Sequence, residues 1–429
     1  MVGTMISGTQ SDIWGRKKTI MSTHLVAILG LSFLRFSSSV SMFYIGSLLG
    51  GYTEGVYFVV SPLYTSEINQ PQIRNFTLSF NMLAFFFTFS ITYVVGSVLS
   101  WRNTISILMP LPCICFLSLF MCPESPTWHM LKGRKAVALM ILTKLRGDKE
   151  VAKMEITRIE DNLNEQKLCQ GLLNPTSSMR DQLRIISKGT FIRPCTVLIL
   201  LFAVGWQWTG EASLTFYTVD IVQRLNIPIS AYWISAGIGC YQFLVALLGV
   251  FISAIVTRRV YYIGSGICVI FGALTLGCSV HLQKYEFFVE LQETNPELKW
   301  LPLLALFVYF GGYTLGYVTV PFMLLGELLP SNARSIGSCI VVQFSNISFF
   351  LVTKFTPVCV EMLGIDNLFW MFSAIATSSV VFAYFCVPET FGASLEEIEE
   401  HYRRVCYPNR FKIADKSNRL VEYKKEHFV

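Results

Sequence analysis

Two pairs of oppositely charged side chains recur in this sequence with the same spacing. Glu67 precedes Arg74 by seven residues. Glu327 precedes Arg334 by seven residues as well. A carboxylate and a guanidinium at neighbouring helix ends can form charge-assisted and sometimes bidentate hydrogen bonds. Bonds between helical bundles can hold a gate closed and break when it opens, so these residues suggest a conformational switch.

The charged segments repeat in the same order in both parts of the chain. The offsets are 242, 260 and 265 residues, for the pairs Arg16 and Arg258, Glu67 and Glu327, and Glu124 and Glu389. Offsets that are similar and increase in order are typical of a duplicated unit with different loop lengths. One charge at a membrane boundary is commonly explained by topology alone, but an ordered set present twice favours a gating role. The candidate gating residues are Asp12, Gly15, Arg16, Lys17, Glu67, Arg74, Glu124, Glu327, Arg334 and Glu389.

The composition indicates that lipid-embedded helices position these residues. Of the 429 residues, 53% are hydrophobic and only 14% are charged, whereas a soluble chain is about 25% charged. Apolar stretches of about 20 residues are long enough to span a bilayer as helices. We predict ten of them, at 19–38, 42–64, 77–99, 104–121, 195–217, 231–254, 260–281, 301–325, 337–360 and 367–387. A stub from Val2 to Ile13 precedes them and is too short to span.

A hydrophilic segment separates the predicted spans into two groups. Residues 123–190 carry mixed charges, and apolar residues such as Val137, Met140 and Ile141 recur at helical spacing. Lys and Arg are more frequent in the loops that lie on the same side of the membrane as this segment. This bias predicts that the segment and the C-terminus are in the cytosol. The predicted domains are an N-terminal bundle at 1–122, a cytosolic helical linker at 123–190, a C-terminal bundle at 191–387 and a cytosolic tail at 388–429. The tail begins with a predicted helix from Leu395 to Arg403.

These motifs resemble the sugar-porter branch of the major facilitator superfamily, and within it the insect facilitated trehalose transporter-like proteins. The segments that carry the resemblance are Asp12-x-x-Gly15-Arg16-Lys17, Pro62-x-Tyr64-x-x-Glu67, Pro123-Glu124-Ser125-Pro126-x-Trp128, Gly326-Glu327-x-x-Pro330-x-x-x-Arg334 and Pro388-Glu389-Thr390-x-Gly392. They extend over nearly the whole chain in the order of the family.

The resemblance implies an all-α membrane protein with the major facilitator fold. Such a protein has two six-helix bundles, a sugar site between them and transport by alternating access. The Asp-x-x-Gly-Arg-Lys turn follows the second span in this family, so the stub corresponds to the end of that span. The expectation is a first bundle that lacks its first span, either through truncation of a longer protein or in a shorter isoform.

The resemblance also implies a set of sugar-binding residues. Gln207 and Gly210 match the family pattern Gln-Gln-x-x-Gly-x-Asn, but Trp206 and Ala212 replace its first Gln and its Asn. Asn346 matches a family Asn, and Phe322 replaces the Trp of a Pro-Trp pair. A sugar needs groups that donate and accept hydrogen bonds, together with aromatic surfaces. The candidate substrate-binding residues are Trp206, Gln207, Thr209, Gly210, Tyr217, Tyr313, Thr314, Phe322 and Asn346.

Two carboxylates, Glu54 and Glu211, fall within predicted spans. An ionised acid at the centre of a bilayer is unfavourable by at least about 2.5 kcal/mol. Each acid should therefore face a cavity, pair with another group or be protonated. Proton coupling is one explanation. However, Ser47 stands where proton-coupled relatives carry an Arg, and this substitution favours facilitated diffusion.

The sequence therefore predicts a facilitative sugar transporter of the hexose or trehalose class, and not an enzyme. A carrier of a less polar solute, a non-transporting sugar sensor and an inactive truncated product are the alternatives, because two expected amides and the first span are missing. Nucleotide-binding glycine motifs, metal-ligand spacing and basic tracts typical of nucleic-acid binding are absent from the sequence. The expected partners are a small sugar and the lipid bilayer, without a cofactor, metal or nucleic acid. The expected state is a monomer in the plasma membrane.

Overall fold

The computed structural model describes residues 1–70, 74–157, 159–160, 189–225, 227, 229–329, 334–390 and 402. Within these ranges the regular secondary structure is entirely helical. The first part of the chain contains α1 Val2–Trp14, α2 Arg16–Arg35, α3 Val40–Ile68, α4 Arg74–Val98, α5 Trp101–Leu108, α6 Pro110–Ser118, α7 Pro126–Leu131 and α8 Lys135–Arg146. The second part contains α9 Gly189–Ile199, α10 Glu211–Phe216, α11 Thr218–Arg224, α12 Ala231–Ile252, α13 Arg258–Leu282, α14 Glu286–Thr294, α15 Leu301–Gly312, α16 Thr319–Glu327, α17 Arg334–Leu363 and α18 Ile365–Cys386.

Eight helical stretches of the described residues are long and apolar enough to cross a membrane. They are Ser79–Val98, Trp101–Met121, Phe191–Phe216, Ala231–Ile252, Arg258–Leu282, Pro296–Glu327, Gly337–Leu363 and Ile365–Cys386. Each coincides with a predicted span. The first two predicted spans correspond to α2 and α3, which are more polar. Helix α3 has 29 residues, so at ~1.5 Å per residue it is also long enough to span. The chain is a multi-pass membrane protein.

The two halves of the chain, α1–α6 and α9–α18, contact each other mainly along two helix pairs, with smaller contacts of α4 with α16 and of α3 with α17. Helix α4 packs against α12, and α1 packs against α17. Helices α4 and α12 approach each other closely at Gly239, where an added Cβ atom would lie only 3.0 Å from the ring of Tyr93. The Tyr93 hydroxyl also donates a hydrogen bond to the carbonyl of Thr215, at 2.8 Å. The candidate functional site lies where the two halves meet.

The helices that lie between the two halves in the sequence form a small packed unit. The side chains of Ala138 and Leu142 pack against Ala152 and Ile156 of a further helical segment at 149–157. Arg146 joins this unit to the end of α3. Its side chain is only 3% exposed and forms an ion pair with Glu155 at 2.7 Å, and its Nη1 donates to the carbonyl of Ile68 at 2.8 Å. A guanidinium here satisfies a carbonyl that the end of a helix leaves unpaired.

The predicted linker and tail are only partly within the described residues. Helical structure occurs over 126–157, as predicted, whereas residues 161–188 lie outside the description. The predicted helix from Leu395 to Arg403 also lies outside it, apart from Tyr402. The division of the chain into four domains stays a prediction.

Candidate functional site between the two halves

Arg16 is the centre of a buried charge cluster at one end of the first half. Its guanidinium Nε lies 3.2 Å from Glu67 Oε2, and the two side chains are 5% and 11% exposed. Its Nη1 lies 3.1 Å from Asp12 Oδ1, and Asp12 is largely exposed. The same nitrogen donates to the carbonyl of Ser11 at 3.3 Å. This cluster ties α1 and α2 to the end of α3.

Glu124 binds the main chain at the turn between α1 and α2. Its Oε1 accepts hydrogen bonds from the backbone N–H groups of Lys17, at 2.9 Å, and Ser125, at 3.0 Å. The hydroxyl of Ser125 donates to Glu67 Oε2. Gly15 has a φ of +100°, and a Cβ atom there would lie 2.5 Å from Glu124 Oε2. Gly15 is therefore required both for the turn and for the approach of this carboxylate.

The second half repeats this arrangement around Arg258. Arg258 Nη2 lies 3.5 Å from Glu327 Oε1, and the two side chains are 4% and 14% exposed. Glu389 accepts hydrogen bonds from the backbone N–H groups of Arg258, at 3.0 Å, and Arg259, at 3.2 Å. Thr390 Oγ1 donates to Glu327 Oε2 at 2.6 Å. Each half thus has a buried Arg–Glu pair, a second carboxylate bound to a main-chain turn, and a hydroxyl on the residue after that second carboxylate that donates to the glutamate of the pair.

The structure brings together most of the predicted gating residues, but within each half. Lys17 takes part through its backbone N–H, and its Nζ lies 3.5 Å from the carbonyl of Phe120. The side chains of Arg74 and Arg334 lie outside the described residues. The predicted bonds between the halves therefore stay a prediction, while the described Arg–Glu pairs hold each half together.

A break in the helix after α9 lies beside the contact between the halves. Residues Leu200–Gln207 continue α9 as a π-helix, and the chain turns at Gly210, which has a φ of +96°. A Cβ atom at Gly210 would lie 2.3 Å from the ring of Phe372, so only glycine fits this turn. The predicted span at 195–217 is present as one stretch, Phe191–Phe216, but its helix is a π-helix from Leu200 to Gln207 and is broken at Gly210.

Tyrosine hydroxyls satisfy the carbonyls that this break leaves free. Tyr313 donates to the carbonyl of Trp206 and Tyr309 donates to that of Thr209, both at 2.8 Å. Both tyrosines are completely buried. Thr209 is buried as well, and its hydroxyl donates to the carbonyl of Gly205 at 2.7 Å. In this structure Tyr313 and Thr209 stabilise the break, and their predicted role in substrate binding is untested.

The amides predicted to bind substrate make contacts between helices. Gln207 Nε2 donates to Ser345 Oγ of α17 at 3.1 Å. Asn346 Nδ2 lies 3.5 Å from the hydroxyl of Thr4. That hydroxyl also donates to Gln343 Oε1 at 3.0 Å, so Thr4 joins α1 to α17 across the two halves.

Several buried polar atoms beside the break have unused hydrogen-bonding capacity. Trp206 Nε1, Gln207 Oε1 and Thr314 Oγ1 have no hydrogen-bond partner among the described residues. Buried polar groups are nearly always paired, with protein, water or a ligand. Tyr217 lies beyond Gly210, where its hydroxyl is 3.4 Å from the carbonyl of Thr353. The unpaired donors and acceptors indicate a site for a polar ligand.

An aromatic layer connects the two halves beside these atoms. The ring of Phe58 on α3 stacks on that of Phe322 on α16, with centroids 5.8 Å apart and planes at 20°. Phe322 also packs edge-on against Trp206, at 5.2 Å, and Phe202, at 4.9 Å. The layer contains two predicted residues, Trp206 and Phe322, and it links α3 of the first half to α16 of the second half.

The sequence as a whole matches a known family. The profile of the family described as "Sugar (and other) transporter" matches residues 1–402. The chain belongs to this family. The predicted sugar transporter is therefore confirmed at the level of the family.

Relatives and solved structures agree with this assignment. The facilitated trehalose transporter Tret1 of Bombyx mori is 28% identical over 400 residues, which cover 93% of this chain and 76% of that protein. Tret1 of Apis mellifera ligustica is 26% identical over 406 residues, covering 94% and 77%. The structure of the proton:xylose symporter XylE bound to 6-bromo-6-deoxy-D-glucose has a TM-score of 0.76 at 19% identity, covering 94% of this chain and 86% of XylE. This likeness confirms the predicted major facilitator fold.

Sequence reasoning missed several residues of this sugar transporter's candidate site. Ser125 and Thr390 could have been found, because a hydroxyl residue follows the repeated Pro-Glu in both halves. Asn81 is an amide on α4 whose Nδ2 is buried without a partner among the described residues, and its Oδ1 lies 3.4 Å from Ser61 Oγ. Phe58 could not have been singled out, since the chain has 34 phenylalanines.

Proposed function

We propose that this chain is a facilitative transporter of neutral sugars of the hexose or trehalose class. It works by alternating access, in which the two halves tilt about a site between them. The observation that carries the proposal is the pair of matching buried clusters, one in each half, with an aromatic contact between the halves. Each cluster fixes the helix ends of its own half, so each half can move as a unit while the contact between them changes.

The chemistry of the site supports a sugar as the substrate. Trp206 Nε1 offers a donor, Gln207 Oε1 an acceptor and Thr314 Oγ1 both functions. Sugar hydroxyls donate and accept, and the apolar faces of a sugar ring suit the aromatic layer of Phe58, Phe322 and Trp206. The names of the two relatives described above, which are facilitated trehalose transporters, support a disaccharide as large as trehalose. An apolar solute would leave these polar atoms unpaired.

The charge distribution supports one orientation of the transporter in the membrane. We place the linker and the C-terminus in the cytosol, because loops on that side carry more Lys and Arg. The plasma membrane is the proposed location and a monomer the proposed state. Under this topology both buried charge clusters face the cytosol.

Uptake into proteoliposomes tests this function. The purified chain should support saturable entry of radiolabelled trehalose or glucose, at the same initial rate with and without a proton gradient. Liposomes without protein provide the baseline. A chain that is folded and inserted but gives no saturable flux of either sugar would overturn the proposal, and a flux that requires the gradient would overturn its facilitative part.

Replacing Phe58 with alanine is expected to open the cytosolic side of the transporter more often. An aromatic pair contributes about 0.5–1.5 kcal/mol beyond area burial, so its loss should shift the open population about two- to tenfold. The measurement is the rate at which a cytosolic thiol reagent modifies a single cysteine introduced by Ser61→Cys in a chain without other cysteines. Phe85→Ala is the matched control, because Phe85 contacts Phe58, Phe86 and Phe89 of its own half. Equal modification rates in both variants would contradict a gating role for the layer.

A further inference from the structure

Glu54 is a carboxylate at the middle of α3 that the gating and substrate assignments leave unused. Helix α3 runs from Val40 to Ile68, so Glu54 is 14 residues from either end. It lies one turn from Phe58, and residues four apart share a helix face. Because Phe58 stacks on Phe322 of the other half, the face that carries Glu54 is directed towards the other half.

This face of α3 is open in the structure. Glu54 and Ser47 are exposed, and a Cβ atom at Gly50 or Gly51 would meet no atom within 4 Å. An acid at this depth is tolerated where it faces water or a partner. Among the described residues Glu54 has no hydrogen bond or ion pair, and the amino terminus of Met1 acts on it only at longer range. Glu54 therefore lies beside an open, polar space next to the aromatic layer.

Glu211, the second acid within the membrane, is in a different position. It is only 9% exposed, and its Oε1 accepts a hydrogen bond from Thr215 at 3.1 Å. The indole of Trp206 is close to this carboxylate but lacks hydrogen-bond geometry. Glu211 is enclosed by protein, whereas Glu54 is accessible to a solute.

Among the buried amides of the site, Gln207 Oε1 is an unpaired acceptor, but a neutral amide oxygen is a weaker acceptor than a carboxylate. Gln207 and Asn346 each direct their nitrogen to a neighbouring helix, and Gln343 Oε1 accepts from Thr4. A sugar presents several hydroxyl donors, and an ionised carboxylate has two oxygens that accept them. We infer that Glu54 accepts hydrogen bonds from adjacent hydroxyls of the transported sugar and so determines which sugars are selected. This inference rests on the proposed sugar transport.

Sugar analogues combined with Glu54→Gln test this role. Hydrogen bonds to charged groups contribute more than neutral ones, enough for about a tenfold effect or more. Glu54→Gln should therefore raise the KM for glucose at least about tenfold, with little change in maximal rate. In the series of 2-, 3-, 4- and 6-deoxyglucose, the analogue that lacks the hydroxyl bonded to Glu54 should be transported equally weakly by the unaltered chain and by the Glu54→Gln variant. Glu54→Asp, which keeps the carboxylate, should preserve the ranking of the analogues.

The controls separate this inference from the proposed function. Glu361→Gln removes an exposed carboxylate near the end of α17 and should leave every KM unchanged. If the unaltered chain transports no sugar, the proposed function fails. If it transports sugars and Glu54→Gln has the same KM values and ranking, the inference alone is overturned. A uniform fall in maximal rate for all analogues would also overturn the inference, in favour of a structural role for Glu54. A preference for glucosamine that Glu54→Gln removes would overturn it in favour of cation recognition.

Discussion

Replacing Arg16 with methionine is expected to abolish sugar uptake and to lower the free energy of unfolding by about 3–5 kcal/mol. The reason is the burial of its partner: Glu67 is only 11% exposed, and without the guanidinium its carboxyl group is left buried with no counter-charge. Removal of one member of a buried ion pair is more harmful than removal of both. Thermal unfolding of the purified protein in detergent, together with uptake into proteoliposomes, measures the two effects.

The adjacent cation provides the matched control for Arg16. Lys17 takes part in the cluster through its backbone N–H, which any residue other than proline supplies. Lys17→Ala should therefore unfold close to the temperature of the unaltered chain and retain most of its uptake. Arg258→Met should reproduce the loss in the second half, because Arg258 and Glu327 are equally buried. Equal stability of the Arg16 and Lys17 variants would refute the importance of the buried pair.

Replacing Gly210 with alanine is expected to reduce uptake more than tenfold. The added Cβ atom would lie 2.3 Å from the ring of Phe372, in a backbone conformation with a φ of +96°. The left-handed conformation is unfavourable for alanine by roughly 1–2 kcal/mol, and an overpacked interior adds about 1–3 kcal/mol. The turn that joins the two parts of the broken span must then shift. Initial uptake rates and the unfolding temperature of the variant measure the result.

A second glycine separates a local effect from a general one. Gly264 lies within α13, where a Cβ atom would meet nothing within 4 Å. Alanine is favoured over glycine inside a helix by roughly 0.5–1 kcal/mol, so Gly264→Ala should transport normally and unfold at the same or a higher temperature. If Gly210→Ala behaved in the same way, the break after α9 would not need glycine.

The fold was largely predictable because its main signals are local. Long apolar stretches located the spans to within a few residues, and repeated charged motifs revealed the two halves. The break after Gln207 was not predicted, since the stretch Phe191–Phe216 is apolar on average and no proline marks the break. Its stability depends on Tyr309 and Tyr313, which are about a hundred residues away in the chain. A local pattern does not reveal such partners.

The candidate site was predictable in its residue types but not in its contacts. Matching motifs identified Arg16 and Glu67, and the structure places them together. The motifs did not show that Gln207 and Asn346 would bond to neighbouring helices, because an amide looks the same in a sequence whether it binds a sugar or another helix. Glu54 was recognised as unfavourable in lipid, and only the open space beside Gly50 and Gly51 distinguishes it from Glu211.

The attachment of Arg146 to the end of α3 has a mechanical consequence. One guanidinium holds both the carboxylate of Glu155 and the last turn of α3, through the carbonyl of Ile68. A tilt of α3 would therefore move the helices at 126–157 together with it. Because these helices extend away from the end of α3, a small rotation of α3 would produce a larger displacement at their far end. A fluorophore at the exposed Lys153 would then report the transport cycle from the aqueous phase, without a label in the lipid-embedded part.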